Sequence, residues 1–407
     1  MKEASRVQAV IDVLEEVMKD LLPADVLLEK YFKARRYIGA KDRRFIGDTV
    51  WGIIRQRIRL SKAFGQNASP RLLTALYLKN QDLELLFNGE EYAPAVLSED
   101  EKKALAIAKT FEAYDEADLY ECPKWLFSKF SDKKLLEALN ETAPVDVRAN
   151  FISREQAKDR LRKEGLFFSP TPFSPIGLRS TERVNLKNAM TFQDGDIEVM
   201  DEASQVISLL CNAKAHHKIM DYCAGAGGKA LALGALMHND GVVFAHDINQ
   251  ERLSRIKKRA ERLGVLNIKL KNTVEDSDYD RFILDAPCSG SGVWRRAPDA
   301  KFRLSPQKLE DIVKTQQELL EFGAKHTKSG GRLIYITCSV FNEENEKQIE
   351  AFLQKHPEFF PLNHKELWQK TLDLPVYPFE GEKWLHFSPL TTKTDGFFFC
   401  ALGKQKD

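Results

Sequence analysis

The sequence of 407 residues contains only six cysteines, and they are scattered along the chain. They are Cys122, Cys211, Cys223, Cys288, Cys338 and Cys400. No CxxC pair and no cluster of histidine with cysteine is present. This spacing argues against a structural zinc site and against a disulfide framework, and we expect the protein to bind no metal.

Long apolar runs are also missing. No stretch approaches the roughly 18 consecutive apolar residues that are needed to cross a bilayer. Residues 1–8 lack the apolar core of a signal peptide. We therefore expect a cytoplasmic protein that makes no membrane contact. The sequence has no internal repeat and no low-complexity segment.

An excess of charge of one sign is absent as well, since 61 basic and 60 acidic residues leave a net charge of +1. No global field therefore indicates a nucleic-acid partner, and any such argument depends on the local distribution of charge. The length is large for a single core, so we expect two or three domains. We expect the protein to be a monomer.

The first third of the chain has helical periodicity. Apolar residues such as Val7, Val10, Ile11 and Leu14 recur at three- and four-residue steps, which is typical of the buried face of a helix. Further helical stretches lie near residues 25–37, 43–64, 69–78 and 98–111. We predict an all-α domain over residues 1–135.

This predicted domain contains a basic stretch between Lys30 and Lys62. Eleven lysines and arginines face only Asp42 and Asp48 there, which gives a local charge of +9, and aromatic residues lie among them. One interpretation is a phosphate-binding face, with Arg55, Arg57 and Arg59 as candidate contacts. The other is a solvated helix surface with aromatic residues in the core. The sequence alone does not decide between the two.

Residues 136–198 lack the continuous helical periodicity of the preceding part of the chain. Residues 145–152 alternate like a strand, residues 154–164 predict a helix, and Gly165 with the prolines after it ends that helix. We predict a small α/β module or linker. From residue 199 to 407, apolar runs and helical stretches alternate in the rhythm of a parallel α/β sheet.

A glycine-rich loop opens this last part. Lys218–Tyr222 predicts the first strand, and Gly225, Gly227 and Gly228 then let the backbone approach a ligand closely. The second predicted strand, 242–246, ends at Asp247, a carboxylate suited to hold ribose hydroxyls. A nicotinamide-binding domain would look similar. The spacing departs from G-x-G-x-x-G, however, and this favours S-adenosylmethionine.

Two cysteines follow two other apolar runs, in Asp285-Ala-Pro-Cys288 and Ile336-Thr-Cys338-Ser339. The carboxyl ends of the strands in an open α/β sheet are where ligands bind. We therefore predict one site with a nucleophilic cysteine and a helper cysteine. The remaining cysteines read as structural, except that Cys223 lies in the glycine loop.

These segments together resemble the S-adenosylmethionine-dependent RNA cytosine-5 methyltransferases of the RsmB and Nop/Sun group. The loop Cys223–Lys229 stands where that family has Cys-Ala-Ala-Pro-Gly-Gly-Lys, with Gly225 and Ala226 replacing Ala-Pro. Residues 289–299 match Ser-x-x-Gly-x-x-Arg-Arg-x-Pro-Asp, and Cys338–Asn345 matches Cys-Ser-x-x-x-Glu-Glu-Asn. The resemblance extends over residues 199–404 and implies a class I, Rossmann-like methyltransferase domain over 199–407.

The resemblance also implies roles for individual residues. Cys338 is the nucleophile that attacks carbon 6 of cytosine, and Cys288 assists release. Asp285 hydrogen-bonds the polar edge of the base, and Lys229 supports these charges. The implied cofactor contacts are Cys223, Ala224, Gly225, Ala226, Gly227, Gly228, Lys229, Asp247 and Asp285. Asn272 stands closest to the family's adenine-contacting Gly-Asp, which this sequence lacks.

For the rest of the chain the resemblance implies an all-α, NusB-like RNA-binding domain, followed by a small RNA-binding α/β module. Arg295 and Arg296 are further candidate RNA contacts. The expected product is 5-methylcytosine in small-subunit (16S) rRNA, and tRNA is the alternative substrate. A non-catalytic RNA-binding assembly factor with a methyltransferase fold is a second alternative, favoured by Ala226 and opposed by the intact Cys288 and Cys338.

Overall fold

The computed structural model describes residues 1–65, 68–109, 114–182, 184–274 and 278–406. The chain forms two compact units. The first, here the helical unit, comprises Met1–Glu141 and Trp294–Pro306. The second, here the sheet unit, comprises Thr142–Val293 and Gln307–Asp407. The predicted helix over 98–111 is observed as Glu99–Lys109, and residues 110 and 111 lie outside the described residues.

The described residues form nineteen α-helices and twelve β-strands. The helices are α1 Glu3–Val17, α2 Ala24–Ala34, α3 Ala40–Arg55, α4 Arg57–Lys62, α5 Pro70–Tyr77, α6 Leu83–Leu86, α7 Glu99–Lys109, α8 Glu116–Leu119, α9 Lys124–Phe127, α10 Lys133–Asn140, α11 Arg154–Lys163, α12 Met190–Gln193, α13 Glu202–Leu210, α14 Gly228–Leu236, α15 Gln250–Leu263, α16 Ala300–Arg303, α17 Pro306–His326, α18 Glu346–Lys355 and α19 His364–Leu372. The strands are β1 Val145–Ala149, β2 Ser169–Pro170, β3 Gly177–Ser180, β4 Ile197–Val199, β5 Lys218–Asp221, β6 Val242–Ala245, β7 Ile268–Leu270, β8 Tyr279–Asp285, β9 Thr327–Thr337, β10 Phe359–Pro361, β11 Leu385–Phe387 and β12 Phe397–Lys404.

The helical unit packs around the apolar stripe of α1. Val7, Val10 and Leu14 are buried there together with residues of α3 and α5. Residues 294–306 belong to this unit although they follow the first cysteine motif in sequence. Phe302 packs on the same core, and the backbone N–H of Ala24 donates to Asp299 at 3.0 Å. The all-α character predicted for this part of the chain is thus observed.

The sheet unit begins with a small antiparallel sheet in the order β2-β3-β1-β4. It has an apolar core of its own, in which Val147, Leu161, Leu178 and Ile197 are fully buried. The helix α11 between its strands begins with a capping box, in which the Ser153 and Gln156 side chains each accept from the other's backbone N–H. The strands of this module lie between Val145 and Val199.

The large sheet has the order β10-β12-β9-β8-β5-β6-β7, and β11 pairs with β12. The strands β5 to β9 are parallel to their neighbours, while β12 runs antiparallel to β9. Successive residues of a strand face opposite sides. Ile283 therefore joins the core on one face of the sheet, and Phe282 and Leu284 join the core on the other. Both faces are covered, which explains the unbroken apolar runs in the sequence.

The order of the parallel strands reverses at β5, because β6 and β7 lie on one side of it and β8 and β9 on the other. In open α/β sheets this is the point where ligands bind, beyond the carboxyl ends of the strands. The division into three domains at residues 135 and 198 stays a prediction. In the described part of the chain, no helix is both long and apolar enough to cross a membrane.

Candidate active site

Each of the four central parallel strands ends beside a residue that can carry chemistry. β5 ends at Asp221, β8 ends at Asp285, Asp247 follows β6, and Cys338 directly follows β9. The register aligns Asp221 with Ala245 and Ile283, and Asp285 with Ile336. The sheet therefore brings residues that are far apart in sequence to one edge.

The glycine loop between β5 and α14 depends on two left-handed residues. Gly225 has a φ of 56° and Gly227 has a φ of 84°, a region that side chains rarely adopt. A Cβ atom on Gly227 would also lie 2.7 Å from a side-chain carbon of Ile256. A Cβ atom on Gly228 would meet nothing within 4 Å. The loop is thus tight on the side of α15 and open at the N-terminus of α14.

Asp247 closes one end of this loop. Its two carboxylate oxygens accept from the backbone N–H groups of Gly225 and Asn249, both at 2.8 Å. Each carboxylate oxygen has a second lone pair, so the side chain can still accept from ribose hydroxyls. The adjacent Ile248 is 95% exposed, which offers an apolar surface beside that carboxylate. These features fit a nucleoside cofactor such as S-adenosylmethionine.

Lys229 and Asp285 form an ion pair across the switch point, with Nζ 2.7 Å from Oδ2. Lys229 is 6% exposed. Burial would lower the pKa of this lysine, but the charge and hydrogen bond of Asp285, together with Cys338 and Asp221, raise it on balance. The ammonium group therefore remains charged. It is a fixed positive charge between the cofactor loop and the cysteine-bearing strands.

Asp221, which the sequence analysis did not single out, lies at the same edge. It is 1% exposed, and neither carboxylate oxygen accepts a well-formed hydrogen bond from the described residues. Burial, together with the negative charge of Asp285, raises the pKa of Asp221 to about 7. A buried carboxyl group without such partners is costly unless a ligand satisfies it. The sequence signal that could have identified Asp221 is its position near the end of the first predicted strand, shortly before the glycine loop.

The sulfur atoms of Cys288 and Cys338 lie 3.2 Å apart, within hydrogen-bonding distance. Both thiols are reduced. The hydrogen bond with Cys338 and burial raise the pKa of Cys288 well above its ordinary value. Two thiols fifty residues apart in sequence therefore form a hydrogen-bonded pair, and the surroundings of Cys288 favour its protonated form.

The remaining cysteines have different surroundings. Cys211 and Cys400 are fully buried in the two faces of the large sheet, and burial raises the pKa of Cys211 to about 12. Burial raises the pKa of Cys122 to about 11. Cys223 lies in the glycine loop, and burial raises its pKa as well. Such thiols are inert, so their environment is that of structural cysteines.

The loops that carry the two paired cysteines are joined by a buried polar cluster. It consists of Ser289, Ser291, Ser339 and Glu344, and Glu344 is completely buried. In the sequence, Glu344 matches the family pattern Cys-Ser-x-x-x-Glu-Glu-Asn, which by itself assigns it no role. Its role in the site follows from its hydrogen bonds with the two cysteine loops, which the sequence does not show.

Asn272 lies just after β7 and is exposed. Residues 275–277, in the same loop, lie outside the described residues. The proposed contact of Asn272 with adenine stays a prediction.

The arginines predicted to bind RNA lie in the helical unit, and most of them have partners there. Arg55 donates to the backbone oxygens of Asn140, Glu141 and Arg295 at 2.7–3.0 Å. Arg57 forms two hydrogen bonds with Asp20, and Arg59 pairs with Glu121.

Arg295 is 6% exposed, while Arg296 is exposed. These contacts give Arg55, Arg57 and Arg59 a structural role within the helical unit, which differs from both sequence interpretations, a phosphate-binding face and a solvated surface. Their binding of RNA stays a prediction.

Comparison with known proteins connects this site to one family. Residues 208–403 match the family model described as 16S rRNA methyltransferase RsmB/F. The ribosomal RNA small subunit methyltransferase B of Proteus mirabilis is 32% identical over 302 residues, which cover 69% of this chain and 68% of that protein. The chain spans about two thirds of the length of the curated relatives it matches.

Solved structures agree in fold. The crystal structure of PH0851 matches with a TM-score of 0.77 at 24% identity, covering 98% of this chain and 99% of that one. NSun6 from Pyrococcus horikoshii, solved with the S-adenosylmethionine analogue SFG, matches with a TM-score of 0.62 at 21% identity, covering 71% of this chain and all of that one. The α/β class I fold and the cofactor predicted from the sequence are confirmed. The chain belongs to the 16S rRNA methyltransferase RsmB/F family, and it is a methyltransferase that takes its methyl group from S-adenosylmethionine.

Proposed function

We propose that this protein methylates carbon 5 of a cytosine in small-subunit rRNA through a covalent bond between Cys338 and carbon 6 of the base. The observation that carries the proposal is the pair of thiols 3.2 Å apart at the edge of the sheet, next to the ion pair of Lys229 and Asp285. Methyl transfer to oxygen or nitrogen does not require two adjacent cysteines. Transfer to carbon 5 does benefit from them, because this carbon is a weak nucleophile.

Attack by the Cys338 thiolate forms a sulfur–carbon bond at carbon 6 and moves the electrons of the 5,6 double bond toward carbon 5. Bound S-adenosylmethionine supplies an electrophilic methyl group on a sulfonium sulfur. Carbon 5 would bond to that methyl carbon as the bond from methyl to sulfonium breaks, and the two electrons of the broken bond would stay on sulfur. Lys229 stabilises the negative charge that is present during these steps, since its ammonium group is buried and fixed.

Release needs a base at carbon 5, and Cys288 fits this role through its hydrogen bond with Cys338. That hydrogen bond is the largest cause of the raised pKa of Cys288. Once Cys338 is bonded to carbon 6, its sulfur is no longer a thiol or thiolate partner. The pKa of Cys288 then falls, so its thiol releases its proton to water, and the resulting thiolate can take the carbon-5 proton. The 5,6 double bond re-forms, and Cys338 leaves with the electron pair of its bond to carbon 6.

Asp285 hydrogen-bonds the polar edge of the base and assists protonation of ring nitrogen 3 as the ring becomes electron-rich. One of its oxygens accepts from Lys229, which fixes the orientation of the carboxylate. Asp247 holds the ribose hydroxyls of the cofactor, and Ile248 contacts its adenine. The names of the relatives, which are small-subunit rRNA methyltransferases, support rRNA over tRNA as the substrate.

Variants of the two cysteines test the chemistry. Purified Cys338→Ala, incubated with small-subunit rRNA and cofactor, should show neither methylation nor a protein–RNA adduct. Cys288→Ala should methylate once and then stall, so an adduct should survive denaturing electrophoresis. The adduct should vanish in the Cys288→Ala/Cys338→Ala double variant. Cys400→Ala is the matched control and should behave like the wild type.

Three outcomes contradict the proposal. An adduct with Cys338→Ala would exchange the roles of the two cysteines. Normal methylation by Cys338→Ala would exclude the covalent route. Bisulfite sequencing of rRNA from a deletion strain that shows no lost 5-methylcytosine, while tRNA loses one, would make tRNA the substrate.

A further inference from the structure

Glu344 lies in a short 3₁₀ turn, Asn342–Glu344, just after the second cysteine loop. It is 0% exposed, and its side chain accepts hydrogen bonds from both cysteine loops. Oε1 accepts from the backbone N–H of Ser289 at 2.8 Å, and Oε2 accepts from the hydroxyl of Ser289 at 2.5 Å. Oε2 also accepts from the hydroxyl of Ser339. Ser289 directly follows Cys288, and Ser339 directly follows Cys338.

The crossover helix α17 supports the same carboxylate. Gln316, also completely buried, donates to Oε1 of Glu344 at 3.1 Å and to the backbone oxygen of Pro287 at 3.0 Å. On the other side, the hydroxyl of Tyr335 in β9 donates to the backbone oxygen of Glu344 at 2.7 Å. Glu344 is therefore held in place by hydrogen bonds from residues of both α17 and β9.

Two further hydrogen bonds link the loop of Cys288 to the loop of Cys338 without Glu344. The hydroxyl of Ser291 accepts from the backbone N–H of Val340 at 2.9 Å, and the N–H of Gly292 donates to the backbone oxygen of Cys338 at 2.9 Å. These bonds hold the backbones of the loops together. Ser289 and Ser339, which flank the two sulfurs, also bond to Ser291 and to each other at 3.0–3.3 Å, but Glu344 is the charged group that accepts from both of them.

A completely buried carboxylate is costly when neutral donors are its partners, and a structural role would be served as well by an uncharged side chain. Its position relative to the cysteine pair offers a reason for it. We propose that Glu344 is a positioning residue of the methyltransferase: it sets the spacing of Cys288 and Cys338 so that Cys288 can act in the release step. This inference rests on the proposed covalent mechanism.

The groups that face the Cys288 thiol are consistent with this role. They are Cys338, Glu344 and the Tyr335 phenol, and the backbone N–H of Gly290 faces it as well. After the hydrogen bond with Cys338 and burial, the charges of Cys338 and Glu344 also raise the pKa of Cys288. Glu344 thus contributes to the position of this thiol and to the pH at which it ionises.

Glu344→Gln keeps the size of the side chain and removes its charge. We expect turnover of this variant to fall about 10–100-fold, because small displacements of reacting groups cost that much. The Michaelis constant for RNA and the affinity for cofactor should stay within about two-fold. The fraction of enzyme trapped as an adduct should rise, since release is slowed more than attack.

A second readout needs no RNA. Alkylation of Cys288 by iodoacetamide, followed by mass spectrometry across a pH series, should have its midpoint at lower pH in Glu344→Gln than in the wild type. Ser289→Ala, which removes one of the bonds to Glu344, should show a smaller change in the same direction. Glu343→Gln, one residue away, is the matched control and should leave both readouts unchanged.

Unchanged turnover and an unchanged alkylation profile in folded Glu344→Gln would overturn the inference, and so would a loss confined to the Michaelis constant. If Glu344→Gln does not fold, Ser289→Ala decides by the same criteria. Failure of the proposed function is a separate outcome: the wild type would then form no adduct and no 5-methylcytosine, while the alkylation comparison would still report on Glu344.

Discussion

The charged side chains of the helical unit and those at the carboxyl edge of the large sheet face different surroundings. In the helical unit, Arg57 pairs with Asp20 and Lys62 with Asp118, so the positive charges meet partners within the unit. At the sheet edge, Asp285 and Asp221 lie beside a single buried ammonium group, that of Lys229, among the described side chains, and Asp247 lies near Asp221. The first arrangement balances charge, and the second holds an excess of negative charge next to a cofactor loop.

This difference separates charge that is paired within the fold from charge that is gathered at the candidate cofactor site. Paired charges at a surface contribute little to stability but remove the cost of leaving either partner alone. Carboxylates gathered in a buried site raise the free energy of the folded protein until a cationic ligand arrives. The cofactor is such a ligand, since it carries a sulfonium and an ammonium group.

Loss of the Lys229 ammonium group should have the largest effect in this comparison. Lys229→Gln leaves Asp285 and Asp221 without a cation, so the free energy of unfolding should fall by about 3–5 kcal/mol, as when a buried ion pair is broken. The matched variant Arg57→Gln breaks an ion pair of the helical unit, with Asp20, in which the side chains are 17% and 27% exposed, and it should cost about 1–2 kcal/mol.

Urea denaturation of both variants measures the two losses. The double variant Lys229→Gln/Asp285→Asn should recover much of the stability, because it removes the uncompensated charge. Equal losses in Lys229→Gln and Arg57→Gln would show that removing a cation lowers the free energy of unfolding by the same amount in the two regions.

The pH dependence of stability provides the next test. The pKa of Asp221 in the folded protein is about 7, above the ordinary value of 3.8. Between these two values the folded state holds a proton that the unfolded state has released, so stability falls as pH rises through this window. The loss should reach about 2–4 kcal/mol by pH 7.5.

Asp221→Asn should be more stable than the wild type at pH 7.5 and should lose this advantage toward pH 4.5. Urea midpoints at both pH values give the comparison. If the difference in stability between the two proteins is the same across this pH range, the proton that the folded state retains is not bound to Asp221.

The sheet edge was predictable from the sequence because topology, rather than detailed packing, determines it. Apolar runs that end in Asp285 and before Cys338 identify buried parallel strands, and parallel strands deliver their ends to one edge. The pairing of Cys288 with Cys338 follows from that rule. The partners of Arg55 and Arg59 could not be predicted, because Asn140 and Glu121 are more than sixty residues away and approach only through helix packing.

Glu344 and Asp221 were missed for a related reason. Each is a single carboxylate in a segment that also reads as an ordinary turn or strand end. The importance of Glu344 comes from full burial and from the groups that donate to it, and that of Asp221 comes from full burial without well-formed hydrogen bonds from the described residues. Burial of one side chain is a property of the packed structure. Counting charges along the sequence, as for residues 30–62, finds solvated and paired charges equally well.

Asp247 allows a test of the ligand side of the comparison. Asp247→Ala should weaken binding of S-adenosylmethionine by about 1.5–3 kcal/mol, since hydrogen bonds to a charged group are lost. Asp240→Ala is the matched control, because Asp240 pairs with His216 and lies two residues before the start of β6, away from the carboxyl edge of the sheet. Isothermal calorimetry measures both. Unchanged affinity in folded Asp247→Ala would mean that the ribose is held by other residues.

The smallest expected effect distinguishes the two interpretations of the basic stretch. Arg55→Gln removes hydrogen bonds to three backbone oxygens, so it should lower the free energy of unfolding by about 1–2 kcal/mol. Arg36 is exposed, and Arg36→Gln should change stability by less than about 0.5 kcal/mol. If Arg36 contacts a phosphate, its loss should reduce the slope of log affinity against log salt by about 1.

Filter binding of a small-subunit rRNA fragment at a series of salt concentrations measures that slope for both variants. Arg55 already donates to protein oxygens, so Arg55→Gln should leave the slope unchanged apart from any loss of folded protein. A reduced slope in Arg55→Gln, with the free energy of unfolding unaffected, would show that Arg55 contacts a phosphate. The charges of the helical unit would then not all be used within the unit. A reduced slope in Arg36→Gln alone would restrict that face to the exposed arginines, because a charge that is already paired within the unit releases no counterions when RNA binds.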